Sequence, residues 1–130
     1  MQAPPLAGNV IGRADGPFVL AEWTDSGETS AERPIAPLHV HHADDEAWYV
    51  LEGMLGFRLD DTGLLAPAGS AVVAPRGVAH TYWNATGEPV RYVIVLTPNL
   101  MRMIDDIHQT TGRDPEAMRE LFARYDSELL

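Results

Sequence analysis

The sequence contains neither cysteine nor lysine. Because no thiol is present, disulfides, thiolate metal ligands and cysteine nucleophiles are excluded. The nine basic residues are all arginines, and nineteen acidic residues outnumber them, so the net charge is −10. Nucleic acids and anionic membranes attract basic surfaces, and this charge therefore argues against both as partners.

Long apolar runs are also missing. No stretch approaches the ~20 consecutive apolar residues that span a bilayer. The amino-terminal residues lack the basic region and apolar run of a secretory signal. We therefore expect a cytoplasmic protein, and its 130 residues suffice for one domain with a single core.

The part of the chain from Val10 to Thr97 consists of short apolar runs separated by Gly, Pro and Asp. The runs are Val10–Ile11, Phe18–Trp23, Pro37–His42, Ala47–Leu51, Leu55–Leu59, Leu64–Ala66, Ala71–Ala74, His80–Trp83 and Val90–Leu96. This pattern predicts an all-β sandwich or barrel of antiparallel strands over residues 10–97. Residues 1–9, rich in Pro, Ala and Gly, are predicted to form an N-terminal arm.

After Thr97 the apolar residues recur with the period of a helix, which predicts a helical extension over residues 98–130. Gly112 is placed to end the first helix, and Asp114 followed by Pro115 is typical of the start of a second. The first apolar face contains Leu100, Met103, Ile104 and Ile107, and the second contains Met118, Leu121, Phe122, Tyr125 and Leu129. We expect both faces to pack against the barrel or a partner subunit.

Three histidines and one glutamate are placed to meet. On a strand, His39 and His41 point to the same side with Cα atoms roughly 6.5–7 Å apart, whereas on a helix they would diverge. Glu46 follows five residues later, and His80 begins a β-favouring run after a turn. The sequence therefore predicts one ion held by two histidines and a carboxylate, with His80 as the natural third imidazole.

Several neighbouring side chains are harder to assign. By strand alternation Trp48 shares a face with Glu46, and Tyr82 shares a face with His80, so both either line a pocket or pack in the core. His42 points to the opposite side from His41 and is predicted at the surface or behind the ligands, not as a ligand itself. Asp44 and Asp45 are predicted to form a solvated turn. His108 falls in the first helix, and we expect it to be unrelated to the site.

The segment with His39, His41 and Glu46 and the segment that leads to His80 resemble the paired motifs of the cupin superfamily. The first motif has four residues between His41 and Glu46 and six between Glu46 and Gly53. The leading glycine of that motif is replaced by Arg33. The second motif is complete, and its positions are Gly69, Pro75, Gly77, His80 and Asn84.

The resemblance implies a double-stranded β-helix, or jelly-roll, barrel with a pocket at one mouth. It also implies a divalent transition metal (Fe, Ni, Mn, Cu or Zn) bound by His39, His41, Glu46 and His80. The glycines of the motifs would serve as turn residues, and Asn84 as a structural hydrogen-bonding residue. Side chains alone do not select among these metals.

The function is less constrained than the fold. By analogy with quercetinase-type cupin dioxygenases, we expect a metal-dependent oxidoreductase acting on a small oxygen-rich molecule, with Glu46 as ligand or general base. The alternatives are a non-enzymatic cupin that binds a small ligand, and an isomerase or epimerase of a sugar or sugar phosphate. Since lysine is absent and few arginines lie in the strands, the phosphosugar alternative is weaker. We also expect a homodimer.

Overall fold

The computed structural model describes residue 3 and residues 6–130. Within them, ten strands and two helices follow one another along the chain. The elements are β1 (Val10–Gly12), β2 (Val19–Asp25), β3 (Ala36–His41), β4 (Glu46–Glu52), β5 (Met54–Leu59), β6 (Thr62–Pro67), β7 (Ala71–Ala74), β8 (His80–Asn84), β9 (Val90–Leu96), α1 (Pro98–Gln109), α2 (Pro115–Ala123) and β10 (Ser127–Leu129). Of the predicted N-terminal arm, residues 1, 2, 4 and 5 lie outside the described part.

The strands form two antiparallel sheets of five strands each. The first sheet has the order β1-β2-β9-β4-β7, and the second has the order β10-β3-β8-β5-β6. Buried and half-buried residues alternate along β8 and β9, as the period-two pattern of the sequence predicts. The mainly β architecture with two C-terminal helices is thereby confirmed.

The core lies between the two sheets and is rich in aromatic side chains. Trp48, Phe57, Tyr82 and Tyr92 are each less than 5% exposed. Trp48 packs edge-on against Phe57, and Phe57 stacks on Tyr82 with ring centroids 5.6 Å apart. Because this cluster fills the barrel from one sheet to the other, it gives the strands that carry the histidines a rigid support.

Gly53 makes the tight turn that joins β4 to β5. Its φ is +81°, in the left-handed region that L-residues other than glycine rarely adopt. A Cβ atom at this position would lie 2.8 Å from the Pro89 carbonyl oxygen and 3.0 Å from the Val90 Cα. Only glycine therefore fits both the backbone conformation and the space.

The C-terminal region differs from the prediction in two ways. Helix α1, capped by the Thr97 hydroxyl, ends at Gln109, so Gly112 lies beyond it in the link to α2. The second helix is predicted to extend to Leu129, but it ends at Ala123. The backbone then turns at Asp126, whose φ is +52°, and β10 pairs antiparallel with β3. Pairing with the edge of the sheet supplies backbone hydrogen bonds. These stabilise a strand here, although the spacing of the apolar residues favours a helix.

Both helices pack against the barrel. Their most buried residues, Leu100, Met103, Leu121 and Phe122, belong to the same apolar cluster as the strand residues. Of the two predicted surfaces, the barrel and a partner subunit, the barrel is the one that these residues contact. In the described part of the chain, no helix has the length and apolarity needed to cross a membrane.

Candidate metal centre

The four predicted ligand residues come from three strands and meet inside the barrel. His39 and His41 lie on β3, and His80 begins β8, where it pairs directly with His39. Glu46 is the first residue of β4, in the opposite sheet. All four side chains are buried, and their ligand atoms lie within 4.8 Å of one another.

The contacts within this group join nitrogen to nitrogen and nitrogen to oxygen. His39 Nε2 lies 3.1 Å from His41 Nε2. One carboxylate oxygen, Glu46 Oε2, lies 2.9 Å from His80 Nε2 and 3.4 Å from His41 Nε2. Each Nε2 atom therefore points toward the centre of the group.

Two histidines are oriented by backbone carbonyls. His39 Nδ1 lies 2.6 Å from the Pro37 oxygen, and His80 Nδ1 lies 3.0 Å from the Val78 oxygen. A carbonyl oxygen only accepts hydrogen bonds, so both Nδ1 atoms carry the proton. In the neutral imidazole Nε2 then carries a lone pair that faces the centre, whereas in the protonated imidazole Nε2 donates a hydrogen bond toward it.

The site controls the protonation of its own members. Burial and the charges of His80 and His41 lower the pKa of His39 to about 4. Burial alone would raise the pKa of Glu46, but hydrogen bonds from His41 and His80, with their charges, outweigh it and lower that pKa to about 2. Burial alone would lower the pKa of His80. The hydrogen bond to Glu46 and the charge of Glu46 outweigh burial, so the pKa of His80 is raised. Near neutral pH, His39 is therefore neutral and Glu46 ionised.

These residues fit a metal ion. Imidazole lone pairs and a carboxylate that converge in a buried space repel one another unless a proton or a cation lies among them. Ligands bound ~2.1 Å from one ion are about 3.0 Å apart at right angles and about 3.4 Å apart in a tetrahedron. The three observed separations of 2.9, 3.1 and 3.4 Å are close to these values.

A cavity of about 590 Å³ opens from the ligand group. Its wall is mainly apolar and comes from both sheets, β10 included, and from the two helices. The lining residues include Trp23, Ile35, Tyr82, Tyr92, Ile94, Met103, Ile104, Ile107, Met118, Phe122 and Leu129 together with His39, His41 and Glu46. A wall of this kind suits an apolar ligand with a few polar atoms.

The two aromatic residues predicted near the site have different surroundings. Tyr82 lines the cavity, and its hydroxyl lies 3.0 Å from that of Tyr92. Burial raises the pKa of both phenols, so both are protonated at neutral pH. Trp48 is not among the cavity-lining residues described; it lies behind the site and packs on His80 at 5.7 Å between ring centroids.

Comparison with known proteins assigns the family. Residues 29–96, more than half of the chain, match the Cupin domain family. The chain belongs to the cupin family. An uncharacterised protein of Streptomyces coelicolor is 30% identical over 74 residues, which are 57% of this chain and 63% of that protein.

Two solved structures place this cupin among its structural relatives. A conserved protein with a double-stranded β-helix domain from Klebsiella pneumoniae is 24% identical, with a TM-score of 0.51, over 63% of this chain and 68% of its own. A sugar phosphate isomerase from a cupin superfamily, of Silicibacter pomeroyi, is 25% identical, with a TM-score of 0.53, over 63% of this chain and 51% of its own. The cupin therefore spans less than two thirds of the Streptomyces protein and about half of the Silicibacter one. The predicted superfamily and double-stranded β-helix fold are confirmed.

The part of the cupin beyond the family match contributes directly to the site. The match ends at Leu96, before α1 begins. Phe122 of α2 nevertheless lies edge-on to His39, and Ser127 of β10 contacts His41. Sequence reasoning missed Ser127 and did not connect Phe122 with the site, because a three-residue strand shows no readable period and its pairing with β3 is long-range.

Two sequence predictions about single residues are wrong. Asp44 is not in a solvated turn but is 8% exposed, and its carboxylate accepts hydrogen bonds from Thr97 and Asn99. His108 is not unrelated to the site, since it lines the cavity as an exposed residue of α1. The signal was present: His108 lies four residues after Ile104 and so shares its helix face. Asp45 and His42 are exposed as predicted.

Asn84 of the second motif connects two loops rather than entering the cavity. Its buried amide donates to Asp25 and to the Glu88 carbonyl, and its oxygen accepts from the backbone of Thr86 and Gly87. These contacts fit the structural hydrogen-bonding role that the resemblance implies.

Proposed function

We propose that this cupin is a metal-dependent oxidoreductase of the dioxygenase type. Its substrate is a small, largely apolar molecule with neighbouring oxygen atoms, such as an enediol, a β-diketone or a flavonol. The observation that carries the proposal is the opening of a buried three-histidine, one-glutamate group into an apolar cavity of about 590 Å³. The cavity size is typical of small-molecule sites.

One divalent transition metal (Fe, Ni, Mn, Cu or Zn) would be held by His39, His41, Glu46 and His80. A bound ion of this group supplies Lewis-acid chemistry, and Fe, Mn, Ni or Cu supplies redox chemistry as well. Glu46 is ionised at neutral pH and lines the cavity, so its carboxylate is available as a ligand or as the catalytic base that takes a proton from a substrate hydroxyl.

Tyr82 and Tyr92 form the polar part of the proposed substrate pocket. In a hydrogen-bonded pair of hydroxyls, one proton joins the two oxygens and the other is left for a further acceptor. Since both side chains line the cavity, we assign that proton to a substrate oxygen. Trp48 supports the pocket from behind, through its packing on His80 and Tyr82.

A sugar phosphate isomerase is the second candidate, and the Silicibacter relative favours it. The cavity wall argues against it, because a phosphate needs several donors or cations and the only arginine on the described wall is Arg113. Arg58, Arg76 and Arg91 pair with carboxylates away from this cavity. A non-enzymatic small-ligand carrier remains the third candidate.

Oxygen consumption separates these candidates. Tag-free protein is reconstituted with each of the five metals and screened with flavonols and 1,3-diketones in an oxygen electrode. We expect oxygen uptake coupled to substrate loss with at least one redox-active metal, and none with Glu46→Gln. Turnover of a sugar phosphate without oxygen would overturn the dioxygenase assignment in favour of an isomerase. Saturable binding without turnover would favour a carrier.

We also propose that the protein is a cytoplasmic homodimer. Tyr49 and Val73 are 46% and 55% exposed and lie on β4 and β7, which are neighbours in the first sheet. With the exposed Phe18 they leave apolar area on the outer side of that sheet, which we propose as the dimer contact. The cytoplasmic part of the proposal is supported by the lack of cysteine, because the chain has no disulfide that requires an oxidising compartment.

A further inference from the structure

We propose that Ser127 is a positioning residue for His41, so that the C-terminal strand β10 completes the metal centre. The inference rests on the proposed metal binding and extends it beyond the four ligands. It concerns a residue 31 positions after the end of the cupin match at residue 96.

The contact itself is short and shielded from water. Ser127 Oγ lies 2.6 Å from His41 Nδ1, and the two residues are 4% and 2% exposed. Ser127 and His41 are paired residues of β10 and β3. Backbone hydrogen bonds on both sides, from His42 to Asp126 and from Leu130 to Leu38, hold the pairing in register. Strand pairing therefore fixes the backbone of Ser127 and, with it, the position of its short side chain.

A second contact of the Ser127 hydroxyl determines the direction of this hydrogen bond. Ser127 Oγ lies 3.2 Å from the Tyr125 carbonyl oxygen, which only accepts. The single hydroxyl proton has its acceptor there, which leaves Oγ lone pairs for a proton on His41 Nδ1. With that proton on Nδ1, the Nε2 lone pair of His41 faces the other ligands.

The Tyr125 carbonyl is in turn held by a partly buried hydrogen-bond network. Asn99 Nδ2 donates both to this carbonyl, at 3.1 Å, and to the Asp44 carboxylate, at 2.9 Å. Asp44 also accepts from the Thr97 hydroxyl that caps α1. The hydroxyl that orients His41 is thus connected to the start of the first helix.

Comparison of the three histidines supports a dedicated role. His39 and His80 each use the carbonyl of the residue two positions earlier in the chain. His41 instead uses a side chain 86 residues away. Without Ser127, His41 would be the one histidine of the three with no described partner for its Nδ1, and so the least constrained in ring orientation.

Metal affinity with Co²⁺ and Zn²⁺ as probes tests the inference. We expect Ser127→Ala to bind both ions about 10- to 100-fold more weakly than the wild-type protein in chelator competition, as is usual when a partner of a ligating histidine is removed. Glu128→Ala is the matched control, because this exposed residue lies on the same strand, and it should bind like the wild type. Ser127→Thr keeps the hydroxyl and should keep most of the wild-type affinity. Ser127→Val has a side chain of similar volume to threonine but no hydroxyl, and it should not. The Thr and Val pair carries the test if Ser127→Ala does not fold.

A spectroscopic signal distinguishes orientation from simple strand docking. In Zn²⁺-loaded, ¹⁵N-labelled wild-type protein, the Nδ1–H groups of His39, His41 and His80 should all exchange slowly with solvent. Ser127→Val should lose or shift only the His41 signal. Equal metal affinity in Ser127→Thr and Ser127→Val would overturn the positioning role, and so would a loss in Glu128→Ala as large as in Ser127→Ala. If the wild-type protein bound neither ion, the metal proposal itself would fail and this inference with it.

Discussion

Phe122 of α2 lies edge-on to the imidazole of His39, with ring centroids 5.8 Å apart and an angle of 78° between the planes. Phe122 is 4% exposed and also lines the cavity. A helix outside the family match therefore covers one of the histidines with an aromatic ring. Water is kept from that side of the group, which agrees with the low pKa of His39.

Removal of one histidine should abolish metal retention. We expect tag-free wild-type protein to contain about one equivalent of a transition metal and His80→Ala to contain almost none, because a site reduced to three ligands binds far more weakly. Metal content is measured by mass spectrometry after purification without chelator. His42→Ala is the control: it is next to His41 in sequence but exposed, and it should retain the metal. Equal metal content in the two variants would contradict the four-residue assignment.

Two motif glycines should differ in their sensitivity to alanine. Gly69 has a φ of +90° but no described atom within 4 Å of an added Cβ, so Gly69→Ala should cost about 1–2 kcal/mol of unfolding free energy from backbone strain alone. Gly53→Ala adds to a similar strain a contact of 2.8 Å with the Pro89 carbonyl. We expect it to lose at least ~1 kcal/mol more. Urea unfolding of both variants at one pH provides the comparison, and equal losses would show that the contact relaxes freely.

The grouping of three of the four candidate ligands could be predicted because the signal for it is local in the sequence. His39, His41 and Glu46 lie within eight residues, and a period of two on β3 is enough to place both histidines on one side. The nine runs of apolar residues between Val10 and Leu96 each correspond to a strand of the structure. His80 could be added because a turn with Pro75 and Gly77 precedes it.

The surroundings of the candidate ligands could not be predicted in the same way. Strand β10 has three residues, so the apolar spacing of Tyr125 and Leu129 suggested a longer helix instead. Whether Asp44 is solvated depends on Thr97 and Asn99, more than 50 residues away. Such contacts follow from tertiary packing, which overrides local propensity, and one sequence carries no periodic signal for them.

A single charge on the outer side of the first sheet should break the proposed dimer. Val73→Glu introduces a carboxylate at a position that is 55% exposed on β7, and the net charge of −10 adds repulsion between two copies. We expect light scattering to give a dimer for the wild type and a monomer for this variant. Leu65→Glu is the matched control, since Leu65 is 63% exposed on β6 of the second sheet, and it should stay dimeric. A monomeric wild-type protein would remove the homodimer proposal.

The stability of the metal-free protein should fall as the pH is lowered from 6.5. The folded-state pKa of His39 is about 4, below its ordinary value of 6.5, so the unfolded chain binds a proton that the folded protein excludes. The contribution of His39 to the free energy of unfolding is therefore complete above pH 6.5. It is lost on acidification to pH 4, and the loss is on the order of 3 kcal/mol. The depressed pKa of Glu46 acts in the same direction but in a lower window, from pH 4.5 to about 2.

His80 acts with the opposite sign. Because its pKa is raised in the folded protein, its contribution is complete below pH 6.5 and is lost as the pH rises through the folded-state value. Chelator-treated protein should therefore be most stable near pH 6.5, as measured by urea unfolding between pH 4 and 9. His39→Gln should lose much of the slope between pH 6.5 and 4, while His42→Gln keeps it. The same slope in both variants would mean that other groups, and not the buried imidazole beneath Phe122, control the acid response.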